Sequence, residues 1–304
     1  TIHGMENVKI VKYGYAIEYD FFPPHQLRSS LETKLIDFLF LAGQINGTSG
    51  YEEAAAQGII AGINAVKKLG GEDPLVLKRS EAYIGVLIDD LITKSTREPY
   101  RMFTSRAEYR LILRADNADL RLMDYGRDIG LIAHDVHRRM EQKRKLIEDT
   151  MRVFSERNLE PERVNPILES KGSSPIDYPS FVKKILKRPE ISIEDLRDIL
   201  LNKRDNRISE LFQNREALEQ VELEIKYEGY INRQREQIDR FKKFENFLIP
   251  EFLDYNEIKT LSRESREKLS EYRPESLGQA SRISGVSPSD ITVILITLRR
   301  MGLS

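Results

Sequence analysis

The chain has 304 residues and 35.3 kDa, which suits two or three domains at about 100–200 residues each. Charged residues make up 32% and hydrophobic residues 40%, so a disordered chain is excluded and there is material for packed cores. A net charge of −1 excludes nucleic-acid binding driven by overall charge, and zero cysteines exclude disulfides, thiolate metal sites and a cysteine nucleophile within this chain.

No run of 18 apolar residues occurs, so no transmembrane helix is expected. The start, Thr1-Ile2-His3-Gly4, reads as neither a signal peptide nor a natural Met start. Val8 to Phe22 is rich in Tyr, Ile, Val and Phe and predicts one or two β segments, closed by Pro23-Pro24. A second extended piece is expected over Leu27 to Lys34. Ile36 to Ala42 is short, bulky and apolar, which predicts a buried, parallel-type strand. The turn-prone stretch Gly43 to Gly50 follows. A helix should run from Tyr51 to about Lys68, stopped by Gly70-Gly71.

From Pro74 onward the chain reads as mostly helical. Helical spacing covers Ser80 to Ile92, Asn117 to Ile129 and His134 to Asn158, with a basic, less regular stretch from Pro99 to Arg114. Lys171-Gly172-Ser173-Ser174-Pro175 signals a loop before a short helix. Ser192 and Asp195 suit a capping box at a helix running to Leu201. A long amphipathic stretch spans roughly Leu211 to Leu248, with Gly229 as an interruption and Pro250 as its end. Tyr227, Ile231, Gln234, Ile238, Phe241, Glu245 and Leu248 mark one helix face, expected to pack on neighbouring helices. The last 30 residues suit a helical hairpin. Pro274 opens one helix and Gly285 follows its end. Ser287-Pro288-Ser289-Asp290 starts the next, with Ile291, Ile294, Leu295 and Leu298 on its apolar face.

Two stretches have chemistry to offer. At Gly43 a missing Cβ permits close approach of a ligand, and Gly47 and Gly50 keep the turn open. The helix that follows would present unpaired N–H groups and a positive dipole end, suited to a phosphate or to the N1–C2=O edge of a reduced flavin. The plain alternative is a strand–loop–helix crossover in which Ser49 and Glu52 form a capping box. Ala54, Gly58 and Gly62, four apart, would clear one helix face for close packing. No G-x-G-x-x-G motif occurs. The second stretch, Lys94 to Arg121, holds seven basic and four acidic residues, with Tyr100, Phe103 and Tyr109 among the arginines. Arginine grips phosphate in a bidentate way and aromatic rings stack unpaired bases, which suits an RNA loop. The alternative is a salt-bridged face in which Glu98 or Glu108 pairs with an arginine. Arg138, Arg139, Lys143, Arg144 and Lys145 would extend a basic surface if the two segments meet. His134 and His137 lack further ligands, so no metal site is expected and both histidines are placed at the surface; His3 and His25 are isolated. No carboxylate stands out as a general acid or base, so catalytic residues are not nominated.

Four ordered motifs carry a resemblance. Leu39 to Gly58 (LFLAGQINGTSGYEEAAAQG) resembles the late flavin-binding signature of the tRNA uridine 5-carboxymethylaminomethyl modification enzyme family, MnmG (GidA). Pro99 to Leu111 (PYRMFTSRAEYRL), Ile225 to Ile231 (IKYEGYI) and Gln279 to Pro288 (QASRISGVSP) are similar to that family's own signatures. The resemblance runs from about Gly4 to the C-terminus. It implies an FAD-dependent enzyme, cytoplasmic and homodimeric, that works with the GTPase MnmE. Together they install a carboxymethylaminomethyl or aminomethyl group at C5 of the wobble uridine of tRNA. NADH would reduce the flavin and a folate would donate the one-carbon unit.

By motif match, Gly43, Gln44, Asn46, Gly47, Thr48, Gly50, Tyr51 and Glu52 would form part of the FAD site. Lys94, Arg97, Arg101, Arg106, Arg110 and Arg114 would face tRNA. The family's upstream nucleotide fingerprint, NADH-binding insertion and cysteines have no counterpart here, so the chain resembles the C-terminal portion. It is expected to be inactive alone and to bind FAD weakly or not at all. The fold implied is α+β: the end of a Rossmann-like FAD-binding domain over 1–72, a helical domain over 73–222 and a C-terminal helical subdomain over 223–304. Two alternatives remain: a related folate- and FAD-dependent tRNA uridine methyltransferase, and a non-catalytic helical interaction module.

Overall fold

The structure, a computed structural model, describes residues 3–14, 18–94, 98–201, 206–245 and 247–303. Among them the fold is mostly helical. The helices are α1 (Tyr51–Leu69), α2 (Tyr83–Thr93), α3 (Ala118–Asp128), α4 (His134–Glu156), α5 (Pro161–Ser170), α6 (Val182–Leu186), α7 (Arg197–Leu200), α8 (Asn206–Gln213), α9 (Arg215–Lys226), α10 (Glu228–Glu245), α11 (Arg263–Tyr272), α12 (Leu277–Arg282) and α13 (Pro288–Arg300). Two short strands, β1 (Asn158–Leu159) and β2 (Ser180–Phe181), pair antiparallel. No helix of the described residues is long and apolar enough to cross a membrane.

Three main apolar cores organise these elements, and a fourth, small cluster joins Leu87, Leu91 and Tyr100. The middle one is the largest. The buried positions of α4 include His137, Met140, Lys143, Ile147, Thr150 and Phe154, three or four apart, so they form one stripe. Phe154 and Ile147 pack with Leu168, Leu186, Leu211 and Val221 of the surrounding helices. The C-terminal core joins Ile249, Leu269, Leu277, Ala280, Ile294 and Leu298. Its last helix starts as the sequence predicts. Ser287 and Asp290 form a full capping box, with Pro288 in the first helical turn. The N-terminal core is small and sets Leu27 and Leu31 against Ile60, Ile88 and Ile92.

The N-terminal region also clasps the C-terminal one. Ser29 donates to Glu275 from both its N–H and its hydroxyl, and receives a bond from Gln279 Nε2 at 2.8 Å. Lys34 Nζ donates to the carbonyls of His25 (2.8 Å), Tyr272 (2.5 Å) and Arg273. Burial pushes this ammonium down to about 8.

Several expectations are corrected. The described residues of 8–22 form no strand; Val8, Ile10, Val11 and Tyr13 lie exposed in irregular chain, while residues 15–17 fall outside the description. Ile36 to Ala42 is no strand either. Thr33 Oγ1 and Glu32 Oε1 accept the N–H groups of Ile36 and Phe38, and Phe38 has a left-handed φ of 62°, so the chain turns. Leu35, Ile36 and Phe38 are exposed. A strand needs continuous pairing with a neighbour, and only the end of this segment has it: the Thr33 N–H donates to the Leu39 carbonyl and the Leu41 N–H to the Leu31 carbonyl. The stretch expected over Leu27 to Lys34 survives as single bridges, Leu27 to Thr33 and Glu32 to Phe40.

The long amphipathic stretch divides into α8, α9 and α10. Asn214 caps α9, its side chain accepting the Ala217 N–H, and Tyr227 closes that helix before Gly229 is reached. α10 is described to Glu245, ahead of Pro250. Its expected face packs weakly: Ile231 is buried, whereas Tyr227, Phe241 and Leu248 are exposed. His137 is buried, bonded to Asp124 at 2.7 Å, and not at the surface. His25 is not isolated; its ring lies 4.9 Å from that of Tyr272.

Candidate functional site

The stretch Gly43 to Asn46 forms a tight 3-10 turn ahead of α1. Gly43 and Gly47 adopt φ of 88° and 76°, a region open to glycine at little cost. Buried Gln57, in the second turn of α1, clamps this loop. Its carboxamide oxygen accepts from the Gly43 N–H (3.1 Å) and from Asn46 Nδ2 (2.8 Å). Its Nε2 donates to Thr48 Oγ1 and to the Glu53 carbonyl, both at 3.0 Å. Thr48 Oγ1 in turn donates to the Gly43 carbonyl. Asn46 and Thr48 therefore shape the loop from inside.

Gly50 precedes α1, and no side chain caps the helix. The Ser49–Glu52 capping box is thus corrected; both residues are exposed. A Cβ on Gly50 would fall 1.7 Å from Glu53 Oε2, so the carboxylate of Glu53 occupies the space that a side chain would need. Gly58 and Gly62 have nothing within 4 Å of where a Cβ would stand, so close packing on that face is not seen among the described residues. Gln44, Tyr51 and Glu52 form the exposed rim of the loop.

The basic–aromatic stretch lies directly against this loop. The Tyr100 N–H donates to the Gly47 carbonyl at 2.7 Å, the Ser49 N–H donates to the Tyr100 carbonyl, and Thr48 and Tyr100 form a parallel bridge. The Met102 N–H donates to Glu53 Oε1 at 2.8 Å. The two stretches, 50 residues apart in sequence, are one surface.

Asp90, fully buried on α2, sets the charge of that surface. Its Oδ1 receives Arg79 and Lys94, both at 2.7 Å, and its Oδ2 receives the Tyr100 hydroxyl at 3.0 Å. Arg106 stands 4.0 Å from Oδ2 and 4.6 Å over the Tyr100 ring. Burial works to raise the Asp90 carboxyl, but Arg79 and Lys94 outweigh it and hold it below the ordinary range. Burial and Asp90 together raise the Tyr100 phenol. Arg79 extends the network to Asp89 at 2.8 Å and to Glu108, as the salt-bridged alternative anticipates for Glu108. Asp89 then receives Arg282 of α12, which also pairs with Glu245 of α10.

The predicted tRNA-facing residues thus divide. Lys94 and Arg106 are partly spent on Asp90. Arg114 is turned inward, bonded to Asp116 and to Gln220 of α9. Arg101 and Arg110 are exposed and make no ion pair among the described residues. Arg97 lies outside the described residues. The cluster on α4 is also split: Lys143 is buried against Asp119 and Glu216, and Arg144 bonds Asp124, while Arg138, Arg139 and Lys145 are exposed. No metal-binding group of His, Asp and Glu is found among the described residues.

Three residues of the candidate site, Gln57, Asp89 and Asp90, escape the sequence argument. Gln57 sits inside the first motif but gives no hint of its clamp. Asp89-Asp90 does leave a signal: two adjacent carboxylates in an otherwise apolar helix, Ile84 to Ile92, demand buried cationic partners.

Several cavities border these groups. One of about 520 Å³ lies between the first turns of α1 and α2 and Arg101 to Phe103. Another of about 540 Å³ separates α10 from Lys78 to Glu81 and Tyr109.

Comparison with known proteins follows the same motifs. Residues 1–73 match the family model described as glucose inhibited division protein A. Residues 135–235 match the tRNA modifying enzyme MnmG/GidA C-terminal helical domain, and 237–303 its C-terminal helical bundle. The tRNA uridine 5-carboxymethylaminomethyl modification enzyme MnmG of Caldicellulosiruptor saccharolyticus is 56% identical over 301 residues, 99% of this chain and 47% of that protein. The enzyme of the same name from Christiangramia forsetii is 50% identical over 300 residues, 99% of this chain and 48% of that protein. Aquifex aeolicus GidA, in its form II crystal, superposes with a TM-score of 0.81 at 40% identity, covering 97% of this chain and 46% of that one. The chain spans about half the length of the curated relatives it matches, and it belongs to the MnmG/GidA family, as its C-terminal portion.

Proposed function

We propose that this chain is part of an FAD-dependent cytoplasmic enzyme, working as a homodimer with the GTPase MnmE. The enzyme would install a carboxymethylaminomethyl or aminomethyl group at C5 of the wobble uridine of tRNA, with NADH as reductant and a folate as one-carbon donor. Residues 1–72 would close a Rossmann-like FAD domain, 73–222 would present the tRNA-facing stretch, and 223–304 would serve partner binding. The observation that carries the proposal is the join between the two stretches: the Thr48–Tyr100 bridge and the Met102–Glu53 bond put a cofactor-type loop beside a basic, aromatic one. The names of the two bacterial relatives support the same activity.

The loop fits one edge of a flavin. α1 has no side-chain cap, so its first N–H groups are available, and buried Asn46 Oδ1 lacks a hydrogen-bond partner among the described residues. Gly43 and Gly47 would let a ring system approach the backbone. Gln44, Tyr51 and Glu52 would hold its exposed side, while Asn46, Thr48 and Gly50 keep the loop in shape. When bound, FAD would carry the electrons that NADH delivers. The dipole of α1 would stabilise a negative charge at the ring edge, by about 0.3–1 kcal/mol if exposed and more where water is excluded. Arg101 and Arg110 would grip phosphate, and Lys94 and Arg106, held by Asp90, would keep the loop rigid for that contact.

Binding of unmodified tRNA across a salt series tests the proposal. Affinity should fall with salt, and Arg101→Ala and Arg110→Ala should each lower the slope of log K against log salt by about 1. A well-folded chain with salt-independent or no tRNA binding would refute the assignment of this surface.

A further inference from the structure

The cavity of about 520 Å³ is bounded on one side by the cofactor-type loop, through Glu52, Glu53 and Ala56, and on the other by Arg101, Met102 and Phe103 of the basic stretch. It is the place where the two surfaces share a wall. Its floor is apolar, with Leu87 of α2 buried below. Phe103 is 60% exposed, so among the described residues its ring is open at the cavity wall. The neighbouring Met102 N–H is bonded to buried Glu53, which holds the backbone next to the ring. The volume lies within the range of small-molecule sites and holds a nucleoside with room to spare.

The chemistry of the walls is selective. An aromatic face and an apolar floor suit the flat of a base, whose stacking is tolerant of sequence. A guanidinium and a carboxylate at the rim suit an edge with both carbonyl acceptors and an N–H donor. Uracil has that edge: O4 and O2 flank N3–H. A base in a single-stranded loop leaves its neighbours at a cost of a few kcal/mol or less.

We infer that this cavity receives an unstacked uridine of the RNA, laid against Phe103, with Arg101 and Glu52 at its polar edge. The inference rests on the tRNA-binding function proposed above and adds to it where the target base goes. Phosphate contacts along Arg101 and Arg110 would deliver the loop; the pocket would take one base out of it.

A double-mutant cycle tests this, using the full chain and anticodon stem–loop RNA with either uridine or an abasic sugar at the wobble position. Wild type should bind the uridine RNA roughly ten-fold tighter than the abasic one, the size of one base–aromatic stack. Phe103→Ala should lose most of that difference and bind the abasic RNA as wild type does. Ala56→Phe, which fills the cavity from α1, should lose the same difference with the salt slope unchanged. Phe103 is exposed, so its variant should melt with wild type. Equal affinity of wild type for both RNAs, or an equal loss for both RNAs in Phe103→Ala, would overturn the pocket while leaving the tRNA surface intact. No binding of either RNA by folded wild type would remove the tRNA surface and the pocket together.

Discussion

The middle helical body and the N-terminal region are built on opposite plans. Around α4, buried leucines, isoleucines and Phe154 close a core from helices adjacent in sequence, and buried Lys143 and His137 on that helix face carboxylates. Between Leu27 and α1 the apolar core is small, and shape comes from polar bonds instead: Gln57 clamps a glycine turn, Glu53 holds Met102, and Asp90 gathers Arg79, Lys94 and Tyr100. Apolar burial is nondirectional, whereas a hydrogen-bonded clamp constrains both distance and angle. The candidate site lies in the second kind of structure, where polar bonds rather than a large apolar core specify the geometry.

The sharpest way to break this contrast is one substitution in each region. Phe154→Ala should cost about 3–5 kcal/mol by leaving a cavity, read as a drop in the melting temperature of the middle body with loop 43–48 unaltered. Asp90→Asn should cost a comparable ~3–5 kcal/mol, because Arg79 would be left buried with part of its countercharge gone. Its mark is different: the Asp90 carboxyl is held low, so wild type should lose this contribution only as pH falls through that depressed value, below the ordinary 3.8, and the variant should lack that acid step.

A smaller effect is expected at the clamp. Gln57→Leu conserves volume but strips the Gly43 N–H, Asn46 and Thr48 of partners, at about 1–3 kcal/mol. Hydrogen exchange should quicken at 43–48 and stay unchanged in α4. If α4 loosened equally, the two regions would be one cooperative unit. The clasp to the C-terminal helices is sharpened by pH. Burial lowers Lys34 to about 8 in the folded chain against 10.5 unfolded, so the unfolded chain holds the extra proton between those values. Stability should therefore rise from pH 8 to 10.5, and Lys34→Met should flatten that rise in thermal melts. Least of all, Ser287→Ala should cost about 1 kcal/mol by removing half of the capping box of α13, seen in urea titrations.

The same contrast explains what was legible beforehand. α1, α3, α4 and α13 were readable because a helix closes its own hydrogen bonds, and spacing along one segment reports its buried face. The capping box at Ser287 is equally local. Val8 to Phe22 and Ile36 to Ala42 have strand composition, yet a strand is completed by a neighbour that composition does not name. At the site, Gly43, Gly47 and the exposed arginines stood out by residue type. Arg114 did not differ from Arg101 on paper; only the fold turns it toward Gln220. The bridge between Thr48 and Tyr100 is likewise a fact of tertiary structure.

α10 carries a mechanical consequence. Its 18 residues make a rod about 27 Å long, touching α9 at one end and α12 at the other, with a cleft beside its middle. A rod held at its ends is a lever. A tilt of about 5° about Tyr227 would sweep Glu245 through about 2 Å at that length, enough to part it from Arg282. Because Arg282 also holds Asp89, beside Asp90, a displacement at the far helical body would arrive as a change of tension at the loop that carries Tyr100.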